Sequence, residues 1–219
     1  MAARFLPRAR RGGIGHLIEG VMDRNIKAEI ARHQLGTSLA LFIADVDPIS
    51  VHCLACGAGE IADYLAKAAL QKSFAQYALD EQADMNPKDL IYLKNKYWNA
   101  MKHASTHNGQ VRYDDELMAN FDDAHNDHVL FVGWYDYASA IGCLPIEAQA
   151  FQVWYFANFP EKLAEECSPN VYEKIFPGIR DLPRSEKKRL LRQQIKSAKK
   201  DNKVMFDDRT DRRELILGQ

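Results

Sequence analysis

The chain has 219 residues, of which 47% are hydrophobic and 27% are charged, the ordinary proportions of a globular protein. Four scattered cysteines argue against a disulfide framework, and the length allows a core that depends on neither disulfides nor metals. The sequence has no apolar run of the ~18 residues that a membrane-spanning helix needs and no secretory signal. These features favour a cytoplasmic protein without a membrane contact.

The charges divide the chain into four predicted parts. These are a basic, disordered arm over 1–23, a helical domain over 24–160, a helical extension over 161–200 and a charged tail over 201–219. The arm could also be an organelle transit peptide, but nothing after it supports import. The extension ends in the basic helix Arg184–Lys200, which follows an acidic body. The tail is expected to be disordered apart from an apolar patch, Leu215–Leu217, that could dock on a partner.

Apolar spacing and helix-start signals predict an all-α protein, a bundle of about five core helices with a C-terminal helical extension. No strand pair is expected. The five predicted helices span Asn25–Asp45, a segment opened by Asp47 and Pro48, a segment from Pro87 to about His107, a long segment from Asp114 past Ala138, and a segment from Pro145 to just before Pro160.

The end of the third predicted helix carries the side chains best suited to chemistry. His103 and His107 lie one turn apart, and Asn99 lies one turn before His103. A histidine at a helix end can act as a general base near neutral pH, and Lys102 could stabilise the developing charge of a phosphate. The alternative is that both histidines only cap the helix C-terminus, where positive charge is favourable.

Two short segments, Asp-Pro-Ile-Ser-Val-His over 47–52 and Trp-Asn-Ala-Met-Lys-His-Ala over 98–104, resemble uncharacterised bacterial helical proteins. The arrangement is similar to HEPN domains, which are small helical bundles that usually dimerise and include many ribonucleases. Their motif is Arg, a polar residue, three variable residues and His. Asn99 matches the polar position and His103 the histidine, whereas Trp98 stands at the arginine position. An indole cannot clamp a phosphate as a guanidinium does.

The resemblance implies a homodimer that binds RNA or a protein partner, with or without catalysis. If the protein is an enzyme, the resemblance implies a metal-independent ribonuclease that needs no cofactor. His103 would then be the base, Asn99 would orient the phosphate or the imidazole, and Lys102 would stabilise charge.

A second hypothesis places a zinc or iron site on the fourth predicted helix, at Asp122, His125 and His128. Carboxylate and imidazole ligands on facing helices bind such metals in helical bundles, and His103, His107 or His52 could complete the set. The alternative is that His128 is a core histidine bonded to a neighbour and that His125 is exposed.

A third hypothesis is an interaction protein without chemistry, in which Arg184–Lys200 contacts RNA or a protein. Deletion of 184–219 is then expected to abolish partner capture and leave the bundle folded. Two further features are interpreted as structural. Cys53 and Cys56 have no second close cysteine pair, so they are expected to be small core residues rather than zinc ligands. The aromatic runs Trp134–Tyr137 and Trp154–Phe156 could form a ligand pocket or stack bases, but they are expected to be core, with Asp136 partly exposed.

Overall fold

The structure is a computed structural model that describes residues 26–81, 86–163 and 169–218. The predicted arm over 1–23 and Cys167 lie outside these ranges. The described chain is mostly helical, as predicted. Its elements are α1 (Ile26–Ala44), α2 (Pro48–Ala68), α3 (Phe74–Glu81), α4 (Pro87–Lys102), α5 (Asp115–Met118), α6 (His125–Ile141), β1 (Leu144–Pro145), α7 (Ile146–Asn158), α8 (Asn170–Ile175), α9 (Arg184–Ala198), α10 (Asn202–Met205) and β2 (Thr210–Asp211), with 3₁₀ helices at Pro160–Lys162 and Ile179–Asp181.

The predicted starts of α2 and α4 are confirmed at the level of individual hydrogen bonds. The Asp47 carboxylate accepts from the Ser50 backbone N–H at 3.0 Å, and the Asn86 amide oxygen accepts from the Lys88 N–H at 2.9 Å. In each case a proline occupies the first turn, where its missing N–H costs nothing. The side chains therefore replace partners that a helix start lacks.

Two predicted helix bounds are wrong. The third predicted helix ends at Lys102, so His107 lies beyond it in a turn. The long fourth helix is in fact two helices, α5 and α6, separated by 119–124. In this break Phe121 packs against the rings of Tyr97 and His52, a tertiary contact that local periodicity does not encode.

The centre of the molecule is α2, which packs between α1 and α6. Glycine at 133 makes this packing possible, because a Cβ built there would lie 2.7 Å from Leu35 Cδ2. Side chains from α1, α6 and α7, including Phe42, Trp134 and Trp154, fill the buried core. None of the described helices is both long and apolar enough to cross a membrane.

The C-terminal segment packs on the body, contrary to the predicted disordered tail. Its strand β2 pairs in parallel with β1, although no strand pair was expected. The fully buried Arg32 donates to Asp211 Oδ2 and to the Leu215 carbonyl, both at 2.9 Å. Leu215 itself is buried in the core, so the interpretation of Leu215–Leu217 as a free docking patch is wrong.

The basic helix α9 is also part of the core. Leu191 and Ile195 are buried, and α9 packs against α7. The Lys188 ammonium is buried beside Asp45 Oδ1, at 2.6 Å. Removing 184–219 would therefore strip apolar cover from the body, which contradicts the expectation that the bundle folds without this segment.

Candidate ligand-binding cavity

A cavity of about 390 Å³ lies between α2, α3, α4, α6 and α7, within the range of small-molecule sites. It brings together three segments that are distant in sequence: the first half of α2, the middle of α4 and the first half of α6. Its basic and imidazole side chains are His52, Lys94, Lys96, His125, His128 and Lys162. Apolar groups of Ala55, Gly59, Val129 and Val132 form much of the remaining wall.

His52 is buried, and its hydrogen bond fixes which ring nitrogen carries the proton. Its Nδ1 lies 3.0 Å from Asn126 Oδ1. The Asn126 amide nitrogen donates to the Pro48 carbonyl at 3.0 Å and to Asp123 Oδ1 at 3.3 Å, so the oxygen faces the imidazole. His52 Nδ1 must therefore donate. Its Nε2 is buried without a hydrogen-bond partner among the described residues, and burial lowers the pKa of His52.

His128 is oriented by a phenol. Its Nδ1 lies 2.9 Å from the Tyr155 hydroxyl, and its ring packs against the rings of Tyr155 and Phe159. The residue as a whole is exposed. Burial of part of the side chain, followed by the charge of Lys162, lowers the pKa of His128, so the neutral imidazole predominates near pH 7. This contact matches the expected histidine bonded to a neighbour, except that the ring is not enclosed.

The third cavity histidine belongs to an aromatic group. The His125 ring lies 4.6 Å from the Tyr97 ring and stacks on Phe121 at 5.7 Å, centroid to centroid. Its Nδ1 lies 2.9 Å from Asp122 Oδ1, a contact within one helix turn. Within the described ranges, no three His, Cys, Asp or Glu side chains are grouped as metal ligands. The geometry thus gives the metal site at Asp122, His125 and His128 no support.

The positive charge of the cavity comes from lysines. Lys94 and Lys96 are half-buried and Lys162 is exposed. None of the three forms an ion pair with a described residue, although Lys96 Nζ lies 4.6 Å from the centre of the Tyr97 ring. Apolar walls beside unpaired ammonium groups can bind a molecule that has an apolar body and an anionic group.

The predicted catalytic residues lie outside this cavity. His103 is the residue that caps the end of α4, where its backbone N–H donates to the Asn99 carbonyl at 3.1 Å, and its side chain is exposed. Lys102 Nζ lies 5.2 Å from the centre of the Trp98 ring, and Trp98 donates to Glu60 Oε1 at 3.1 Å. Asn99, Lys102 and His103 therefore share one helix end but are not enclosed in a pocket.

Asp136 is buried, so its predicted partial exposure is wrong. Its Oδ1 accepts from the Phe74 backbone N–H at 2.6 Å, and its Oδ2 has no described hydrogen-bond partner. Burial raises its pKa to about 7. The partner belongs to α3, a helix that the sequence analysis missed, so no sequence signal marked this position.

Of the two cysteines of α2, Cys56 has the core position that was expected, whereas Cys53 is half-buried. Cys56 is buried and contributes to the cavity wall, and burial raises the pKa of its thiol to about 12. Cys53 Sγ lies 3.6 Å from Met101 Sδ. Neither thiol has the low pKa of a reactive cysteine.

His52 was predicted only as an accessory metal ligand, and Tyr155 only as part of an aromatic run that is core or lines a ligand pocket. Asn126 was missed, because no local signal marks it. Comparison with known protein families, with curated proteins and with solved structures finds no match to this chain.

Proposed function

We propose that the protein binds a small amphipathic anion in the cavity between α2, α4 and α6. The observation that carries this proposal is the combination of an apolar wall with three lysines that lack described ion-pair partners. His52 and His128 have lowered pKa values, so the cavity's positive charge near pH 7 comes from lysine. The ligand's apolar body would gain about 25 cal/mol for each Å² removed from water.

The positive charge of the cavity contrasts with the charge of the rest of the chain. The formal net charge is −1, and the body is acidic, so most of the surface repels anions. Lys94, Lys96 and Lys162 give the cavity the opposite sign. A neutral apolar ligand would leave this charge unused, which favours an anion.

Fluorescence titration with anilinonaphthalene sulfonate, an aromatic anion, tests the proposal. We expect the dye to bind at one saturable site per chain. A cooperative unfolding transition of the same sample shows that the dye is binding folded protein. Val129→Trp places an indole in the cavity and should weaken binding by about tenfold or more. The matched control is Val111→Trp, because Val111 is exposed and does not line the cavity. Absence of saturable binding, or equal loss in both variants, would contradict the proposal.

A HEPN-like role in RNA binding or cleavage is a second candidate. The exposure of the His103 side chain beside the Lys102 ammonium favours it, since a large polyanion could reach both groups. If RNA is cleaved without added metal, His103→Ala should abolish cleavage and leave the unfolding transition unchanged, whereas His107→Ala is the control. Cleavage that persists in His103→Ala would remove His103 as the base. The homodimer that the resemblance implies is tested by sedimentation of the full chain.

A further inference from the structure

We infer that the cavity selects a hydroxylated aromatic acid, because His52 offers a hydrogen-bond acceptor while His128 and Lys162 offer donors to a carboxylate. This inference rests on the proposed function and names the ligand class of the same cavity. The ligand's hydroxyl would donate to His52 Nε2. Its carboxylate would accept from His128 Nε2–H and from the Lys162 ammonium.

The acceptor role of His52 follows from the Asn126 amide. Because the amide nitrogen already has two acceptors, Pro48 O and Asp123 Oδ1, turning the amide over would place its oxygen against both of them. The oxygen therefore stays on His52 Nδ1, which must be the protonated nitrogen. Since Asn126 does not line the cavity, Nε2 is the polar atom that His52 retains for a ligand.

A buried nitrogen lone pair without a partner is costly. His52 Nε2 is such an atom, because no described residue donates to it. The ring is held edge-on to Phe121 and Tyr97, neither of which donates from its ring. A ligand hydroxyl would supply the missing donor. A carboxylate at this position would instead place an acceptor oxygen against the Nε2 lone pair, which is also an acceptor.

His128 has the opposite tautomer. The Tyr155 ring is buried, and burial raises the pKa of its hydroxyl, so it stays protonated. Among the described residues, the one hydrogen-bond acceptor within reach of its O–H is His128 Nδ1, at 2.9 Å. If Nδ1 carried the proton instead, the phenolic hydrogen would lose this acceptor. The proton of the neutral His128 ring therefore sits on Nε2, which has no hydrogen-bond partner among the described residues and can donate to a ligand.

Aromatic walls define the body of the ligand. Phe74, Tyr97 and Tyr155 line the cavity and already pack in edge-to-face or stacked pairs with their neighbours. An aromatic body gains such contacts in addition to its buried area. The lysine at 162 lies on the His128 side, since its 3₁₀ helix begins directly after Phe159, whose ring packs against His128.

Nitrogen NMR of histidine-labelled full-length protein tests the tautomers without a ligand. The expected result is a neutral His52 protonated on Nδ1 and a neutral His128 protonated on Nε2. Tyr155→Phe should reduce the fraction of neutral His128 that is protonated on Nε2, and it should leave the tautomer of His52 unchanged. The same tautomer in both rings, or a charged ring at neutral pH, would overturn the inference.

Calorimetric titration with two probes tests the selectivity. The probes are naphthoate and its analogue with a hydroxyl on the ring remote from the carboxylate. We expect the hydroxylated probe to bind wild-type protein about tenfold more tightly, the value of one hydrogen bond to a buried acceptor. His52→Phe keeps a flat ring without the acceptor and should bring the two affinities together.

The outcomes separate the inference from the proposed function. Equal affinities in the wild-type protein would leave the cavity as an anion site and overturn the acceptor role of His52. Failure of both probes to bind would overturn the anion site as well. Since the wild-type comparison needs no variant, the test remains valid even if His52→Phe does not fold.

Discussion

Basic side chains lie on two sides of α6. They form ion pairs with described residues on one side and none on the other. On one side Arg184 of α9 donates to Asp123 and Asp127 in four hydrogen bonds of 2.7 to 2.9 Å to their carboxylates. On the other side the cavity lysines Lys94 and Lys96 have no described ion-pair partner. The first set neutralises buried acids and holds α9 in place. The second set leaves charge available to a ligand.

This comparison shows that a basic run in the sequence does not by itself mark a binding surface. Arg184–Lys200 carries eight basic residues, yet two of them, Arg184 and Lys188, are paired inside the fold. The cavity has fewer basic residues than α9, and they are scattered in sequence. They are Lys94 and Lys96 of α4 and Lys162 of the 3₁₀ helix Pro160–Lys162. Pairing, more than number, decides which charges can act on a partner.

Removing the guanidinium of Arg184 should have the largest effect on the unfolding free energy. Arg184→Met leaves Asp123 and Asp127 without their guanidinium, and Asp127 is almost fully buried. Removing one partner of a buried ion pair costs about 3–5 kcal/mol of unfolding free energy, which urea denaturation measures. Arg189→Met breaks an exposed pair with Glu186 and should cost under about 1 kcal/mol. Equal losses in the two variants would contradict the account of α9.

The buried carboxylate of Asp136 has no basic ion-pair partner among the described residues, so it should make stability depend on pH. Its folded-state pKa is raised to about 7 from 3.8. Between these values the folded state retains a proton that the unfolded state has lost. Unfolding free energy should therefore fall as pH rises through this window, with a slope of up to about 1.4 kcal/mol per pH unit from this group.

Asp136→Asn isolates that contribution, because an amide oxygen can still accept from the Phe74 N–H and does not titrate. The difference between wild type and variant should grow in favour of the variant from about pH 4 to about pH 7. Asp208→Asn, at an exposed position, is the control and should follow the wild-type curve. A constant difference across this range would show that Asp136 does not titrate as described.

Neutralising one lysine of the cavity should have the smallest effect. Lys94→Gln should weaken binding of anilinonaphthalene sulfonate by roughly two- to fivefold at low salt, since one partly solvated charge contributes under about 1 kcal/mol. The difference should shrink as salt rises. Lys88→Gln changes an exposed lysine of the same helix that does not line the cavity. A similar loss in this control would show only a general charge effect.

The sequence predicted what local signals encode. Helix starts at Pro48 and Pro87 carry a capping side chain and a proline. What it could not predict depends on distant contacts. Arg32 binds a segment more than 170 positions away, and Phe121 interrupts a helix to reach Tyr97 and His52.

The candidate site divides in the same way. His125, His128 and the α4 lysines lie in segments that the sequence marked as polar and helical. Their convergence with His52 depends on the packing of α2 against α6 and on the break before α6. The two imidazoles are oriented by hydrogen bonds with Asn126 and Tyr155, which are tertiary contacts. Spacing alone suggested ligands for a metal, whereas the fold turns each ring toward a different neighbour.

The most direct test of the account follows histidine side-chain NMR signals while anilinonaphthalene sulfonate is added to the full-length protein. Binding in the cavity predicts that the signals of His52, His125 and His128 shift in a saturable way. The signals of His103 and His107, which lie outside the cavity, should stay in place. Saturable shifts at His103 or His107, with His52 and His128 unchanged, would contradict the cavity site and move the search to the end of α4.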